Sequence, residues 1–232
     1  MLRKLLNGIN TLLKPTGLKM VRERSILDFH LHQYQSYEEY KEVQIHHNMR
    51  KIEHIWADEQ TLGLMCDSLE KYLPDREVFR GLCHGTRNGF EQNYISQRPR
   101  FEAIGTDISP TAANYANSIE WDFHNQKEEW IQSFDFVYSN SLDQSWNPRG
   151  ALVTWLNQVK KDGFVVVEHT SAHGPEGASE MDPFGVRPTV LPYVLVEWFG
   201  TDISLNFLKS KKPNNRLDVW LFFLKKNQVS IF

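Results

Sequence analysis

Apolar residues at 2, 5, 6, 9, 12 and 13 (Leu2, Leu5, Leu6, Ile9, Leu12 and Leu13) fall on one stripe of a helix, which Pro15 should end. From 36 to about 72 the positions Tyr37, Tyr40, Val43, Ile45, Ile52, Ile55 and Trp56 recur at mixed spacings of three and four, a helical pattern. Ala57-Asp58 breaks it, and Asp58 can cap a second helix running to Leu73. The rhythm then changes. Residues 77–107 read as a short apolar strand, a loop with Gly81, Gly85 and Gly89, a helix, and a second apolar run closing on Asp107. Ser109-Pro110 can cap a helix to about 117, and 118–123 and 134–140 read as strands. Asn147-Pro148 opens a helix through Lys160, with Gly163 as its C′ residue, and 164–169 is a near-continuous apolar run suited to a strand buried on both faces.

Strands alternating with helices predict an α/β fold with a doubly wound, mostly parallel sheet. The tail differs: a helix over 191–199 precedes strands at 203–208 and 217–224, joined by a turn-rich segment. Strands so close in sequence must pair antiparallel. The expectation is a seven-stranded sheet ending in an antiparallel hairpin (residues 74–232), with a helical N-terminal extension (1–73) covering one face of the sheet and the mouth of a site.

Composition narrows the classes. A chain of 232 residues, 41% hydrophobic and 12% aromatic, supports one substantial core. A formal charge of −3 speaks against general nucleic-acid binding. Two cysteines, Cys66 and Cys83, give no disulfide framework, and no apolar run approaches the roughly 20 residues that span a bilayer. The N-terminus does not read as a signal peptide, so a cytoplasmic location is expected. Residues 1–24 hold Arg3, Lys4, Lys14, Lys19, Arg22 and Arg24 against Glu23 alone. Such a basic amphipathic start suits peripheral contact with the inner face of a membrane, although packing on the chain's own domain or on a second copy is the preferred expectation. His30, His32, His46, His47 and His54 lack a carboxylate or cysteine at ligand spacing, and no metal site is expected. A Mg²⁺ held by Asp143, Glu180 and Asp182 also lacks tight ligand spacing.

The candidate chemistry sits in 77–107. Glycines allow close backbone approach to a ligand, the following helix N-terminus favours a negative group, and Asp107 stands where a carboxylate accepts from ribose hydroxyls. An adenosine-bearing cofactor is the reading. A nicotinamide-binding dehydrogenase would want G-x-G-x-x-G, whereas these glycines lie four apart.

GLCHGTRNG, AIGTDIS, WDF, the FDFVYSNSLDQSWNP to LNQVKKDGFVVVEHT block and the terminal hairpin resemble the class I S-adenosylmethionine-dependent methyltransferases over about residues 75–226. LLKPTGLKMVR is similar to methyltransferases associated with bacterial polysaccharide synthesis. The resemblance implies that Gly81, Cys83, Gly85 and Arg87 line the methionine portion of the cofactor, that Asp107 with Ile108 holds the ribose, that Asp122 and Phe123 meet the adenine, and that Asn140 lies beside the sulfonium. Cys83 and Arg87 stand where the family carries glycines, which keeps a non-catalytic scaffold as the alternative.

For transfer to a hydroxyl, a general base is needed at the carboxyl ends of the strands. Asp143 follows the fourth strand, His169 ends the fifth and His173 opens the next loop, so these three are the catalytic candidates. The Gly- and Pro-rich segment 171–188 reads as a substrate loop. Members of the resembled family that act on DNA bases carry D/N-P-P-Y/F after the fourth strand, where this chain has Ser139-Asn140-Ser141-Leu142, so the resemblance implies another acceptor; a small molecule or a sugar hydroxyl of a glycan precursor is expected.

Overall fold

The computed structural model describes residues 2–21, 28–212 and 217–227, with the side chains of 2–5 undescribed. Arg22, Glu23 and Arg24, and part of the turn expected over 210–216, lie outside the described residues.

The described helices are α1 (Leu2–Leu13), α2 (Tyr37–Arg50), α3 (Glu59–Tyr72), α4 (Phe90–Ile95), α5 (Pro148–Gln158) and α6 (Leu191–Phe199). The strands are β1 (Phe29–Leu31), β2 (Phe79–His84), β3 (Phe101–Asp107), β4 (Ser118–Glu120), β5 (Phe134–Ser139), β6 (Val159–Thr170), β7 (Phe184–Val186), β8 (Ile203–Lys211) and β9 (Asp218–Lys226). Seven form one sheet in the order β4-β3-β2-β5-β6-β9-β8. Its β4 to β6 half is parallel, while β9 runs antiparallel to both β6 and β8. The expected terminal hairpin is therefore present, with its second strand lying inside the sheet.

The sheet is sandwiched between two cores. On one face Leu62, Met65 and Leu69 of α3 pack with Phe79, Phe136, Tyr138 and Phe223. On the other, Leu152, Trp155 and Leu156 of α5 and Leu191, Val194 and Leu195 of α6 pack with Leu82, Val165, Val167 and Phe222. Every residue of β5 is buried, as its apolar sequence demands. The N-terminal part thus supplies a full layer through α3, whose cap Asp58 accepts from the Thr61 N–H at 2.9 Å.

Several boundaries differ from the sequence pattern. The segment after Ser109 is a short 3-10 turn over Pro110–Asn114 rather than a helix to 117, and β4 stops at Glu120, before Asp122 and Phe123. Helix α5 gives way to β6 at Val159, so Lys160, Lys161 and Gly163 lie inside a strand and Gly163 is no C′ residue. The β5–β6 register shifts here, Phe134 facing Val159 and Phe136 facing Phe164, so the extra residues form an irregularity that the helix-cap reading mistook for a terminus. A small antiparallel pair absent from the sequence pattern, β1 with β7, ties the segment before α2 to the loop after β6.

Candidate functional site

Strands β2, β3 and β5 end side by side, and their carboxyl-terminal loops form the candidate site, as expected for an open parallel sheet. The turn after β2 begins at Gly85, whose φ of 74° is left-handed. A Cβ there would meet Ser141 at 2.6 Å, so only glycine lets this turn pass the end of β5. Gly85 and Thr86 donate backbone N–H to the Thr106 carbonyl, and the Arg87 N–H reaches Asp107 Oδ2 at 2.9 Å. Asp107 also accepts at Oδ1 from the Ser109 N–H at 2.9 Å and the Asn48 amide at 2.8 Å. Burial pushes its carboxyl above the usual range, and these hydrogen bonds offset only part of the rise.

Gly81 and Cys83 belong to β2, not to the turn. A Cβ on Gly81 would run into the Phe136 ring, so this glycine makes room for core packing. Cys83 is fully buried, its thiol raised well above the ordinary value by burial. Neither lines a cavity at the site, which corrects the expectation that the run from Gly81 faces a ligand. Ile108, Phe123, Asp107 and Asp122 do line one pocket together with Gly85 and Arg87.

Asp122 sits beyond β4 and accepts at Oδ1 from the His124 backbone N–H at 2.9 Å, with the His124 ring Nδ1 2.7 Å away. The Tyr37 hydroxyl donates to Oδ2 at 2.5 Å. Burial raises the Asp122 carboxyl, but the His124 contacts and the Tyr37 hydrogen bond together hold it below its ordinary value. The rings of Tyr37, Tyr40, His124 and Trp146 pack around this acid.

Next to this pocket lies a cavity of about 680 Å³, lined by Gly85, Thr86, Arg87 and Asn140 on the sheet side and by Ile52, Ile55, Trp56, Asp143 and His173 beyond it. Glu91, in the first turn of α4, also lines it and was not singled out in the sequence. Asn140 donates to Glu91 Oε1 at 3.1 Å, while Oε2 is buried without a hydrogen-bond partner. Burial lifts the Glu91 carboxyl to about 7. The six-residue α4 thus places the chain's own acid at the helix N-terminus that the sequence pattern assigned to an anionic ligand. The signal was an acid one residue after Gly89-Phe90.

Two of the three acid–base candidates meet at the cavity. His173 Nε2 is 3.6 Å from Asp143 Oδ2, and both His173 Nδ1 and Asp143 Oδ1 are buried without a partner. Burial pushes the Asp143 carboxyl to about 6, against the pull of His173. Trp56 stacks on His173 at 5.5 Å. His169 packs behind His173, ring centroids 5.2 Å apart, but does not line the cavity: it is fully buried, its Nε2 held 2.7 Å from the Val186 carbonyl, and driven by burial to about 3. Its neutral ring pins β7. Lys212, the residue after β8, braces the far wall by donating to the Trp56 carbonyl and pairing with buried Glu168 at 3.1 Å. Among the described residues no group of three or more His, Cys, Asp or Glu side chains is arranged to hold a metal ion.

No protein-family model matches the chain, and no curated protein matches it in sequence. Solved structures do. The Burkholderia thailandensis 1,6-didemethyltoxoflavin-N1-methyltransferase, with bound 1,6-didemethyltoxoflavin and S-adenosylhomocysteine, superposes with a TM-score of 0.64 at 13% identity, covering 85% of this chain and 93% of that one. The fold is that of the class I methyltransferases. Magnesium protoporphyrin IX methyltransferase from Synechocystis PCC 6803, with bound SAM, gives a TM-score of 0.53 at 10% identity over 84% of this chain and all of that one. The cyclase SpnF gives 0.55 at 11% identity over 72% and 80%. A methyltransferase fold therefore also carries other chemistry, and the reaction has to be argued from the site.

Proposed function

We propose that the protein is an S-adenosylmethionine-dependent methyltransferase with a small-molecule acceptor, the methyl group going to a hydroxyl. The observation that carries this reading is Glu91: a buried carboxylate with one oxygen unpartnered, in a 680 Å³ cavity beside Gly85 and Asn140. A buried acid with one oxygen unpartnered beside a glycine turn suits a ligand that brings positive charge. Gly85, Asn140 and Glu91 would hold the methionine half, and Asp107, Asp122 and Phe123 the adenosine half. When bound, the cofactor supplies an activated methyl group on a cationic sulfur.

What remains for the protein is to orient the acceptor, exclude water and take a proton. Asp143 and His173 suit the last task. Their unpartnered atoms lie in the cavity wall, and a carboxyl pushed to about 6 is a competent base at neutral pH. Trp56, Ile52 and Ile55 offer an apolar wall for the acceptor.

Calorimetric titration with S-adenosylhomocysteine and with NAD tests the cofactor. Binding of the first is expected; NAD binding alone would replace this reading with a dehydrogenase, and binding of neither with a scaffold. A screen with radiolabelled cofactor then tests the acceptor class. Nucleotide sugars and lipid-linked glycan precursors are included, as are N–H heterocycles of the kind named for the Burkholderia neighbour. Exclusive labelling of RNA or protein would remove the small-molecule acceptor.

Helix α1 supports a separate point. Leu12 and, just past the helix, Leu18, Met20 and Val21 are exposed, with Lys14 and Lys19 between them, while Leu6, Ile9 and Leu13 are half-buried. Among the described residues no helix is long and apolar enough to cross a membrane. Peripheral contact with an anionic bilayer fits such a face. Co-flotation with phosphatidylserine vesicles but not neutral ones is expected, and a dimer that fails to float would assign the stripe to a second copy.

A further inference from the structure

The two acids proposed for the adenosine are already satisfied, and one helix supplies the outermost donor to each. Asn48 donates to Asp107, and about three turns earlier Tyr37 donates to Asp122. These are the same kinds of group, N–H and O–H, that a nucleoside would present through its amine and its ribose. The cavity left between Tyr40, Asn48, Asp107, Asp122 and Phe123 is about 30 Å³. Small-molecule sites usually offer a few hundred Å³. A nucleoside and α2, as it now lies, exclude each other.

Helix α2 has the character of an element able to leave. Of its fourteen residues only Tyr40 and Gln44 are buried, and no continuous apolar stripe glues it to the sheet. Its remaining anchors are the Tyr37 and Tyr40 rings on Trp146 and His124 and a few polar contacts: Gln44 donates to the carbonyls of Glu180 and Met181, and Tyr34 just before the helix donates to Glu180. Beyond its C-terminus the chain stays non-helical until Asp58, and Ser36 caps its start.

We infer that α2 is a displaceable plug, in which Tyr37 and Asn48 stand in for the nucleoside's own donors and thereby set its affinity. The inference rests on the S-adenosylmethionine reading. On entry the nucleoside takes over the outer lone pairs of Asp107 and Asp122, and α2 swings out about its two ends with the 180–181 segment attached.

The test compares Tyr37→Phe, Asn48→Ala and the double variant with the unaltered protein. Both substitutions leave Asp107 with two backbone N–H donors and Asp122 with its His124 contacts, so no buried charge is stranded. Calorimetry with S-adenosylhomocysteine should show roughly tenfold tighter binding for each contact removed. In the unaltered protein, hydrogen exchange across residues 37–50 should quicken on binding. Unchanged or weaker affinity in the variants, or slower exchange over 37–50, overturns the plug while leaving the cofactor reading intact. If neither the unaltered protein nor any variant binds, the cofactor reading falls and the plug with it.

Discussion

Replacing Glu91 with glutamine isolates what a single buried acid costs. The side chain is 5% exposed, and burial lifts its carboxyl from 4.5 to about 7. The folded state therefore holds the proton more tightly than the unfolded chain. As pH rises above 4.5 the unfolded chain releases it first, and stability falls until about pH 7, beyond which both states are ionised. At about 1.4 kcal/mol for each pH unit between those two values, the loss amounts to roughly 3 kcal/mol. Glutamine never ionises. Its new amide lacks an acceptor where Oε2 now has no partner, which lowers stability by about 1–3 kcal/mol at every pH but adds no slope. Urea denaturation of both proteins at pH 5 and pH 8 separates the two effects. The unaltered protein should lose roughly 3 kcal/mol more than the variant across that interval. Parallel losses would show that burial does not raise the Glu91 carboxyl, and the cationic-ligand reading would lose its support.

Asp143→Asn should lower turnover by about 10²–10⁴-fold while sparing S-adenosylhomocysteine affinity, and should abolish the rise in rate as pH climbs through about 6, where the carboxylate forms. Gly85→Ala forces a Cβ to within 2.6 Å of Ser141 at a left-handed φ; a loss of about 1–3 kcal/mol in stability and of ligand binding is expected, read by thermal shift with and without S-adenosylhomocysteine. Lys212→Met removes the cation beside Glu168 and should destabilise the protein by about 3–5 kcal/mol in denaturant titrations. His169, driven to about 3, titrates with the opposite sign to Glu91: the unfolded chain takes up its proton first as pH drops below 6.5, so stability falls toward acid, and His169→Asn should flatten that arm at some general cost in stability.

The sheet was legible because its strands carry apolar runs that period-two and buried-strand patterns predict, and because loops at Gly85 and Asp107 follow strand ends in a fixed order. Short or irregular pieces were not. The three-residue β1 and β7 are too brief for a period, and the β5–β6 irregularity hid a strand start behind Lys160, Lys161 and Gly163. Within the site, Asp107, Asp122, Asn140, Asp143 and His173 could be placed by their position at or just after the carboxyl ends of strands. Gly81, Cys83 and His169 could not be told from them, because one register step decides whether a strand residue points to core or to crevice. Glu91 of α4 and Asn48 of α2 escaped notice, and Tyr37 was legible only as part of a helical pattern, for another reason: periodicity places a residue on a helix but does not say which polar group it touches.

The placement of β9 between β6 and β8 has a consequence for biogenesis. Until residues 218–226 arrive, β6 offers its FVVVE run as a bare flank with unpaired backbone groups, and β8 has no partner in the sheet. An open, mostly apolar strand margin of this kind recruits other chains. Polypeptides interrupted before residue 218 should therefore accumulate as insoluble assemblies that chaperones must restrain, instead of as slightly shortened, still-folded proteins.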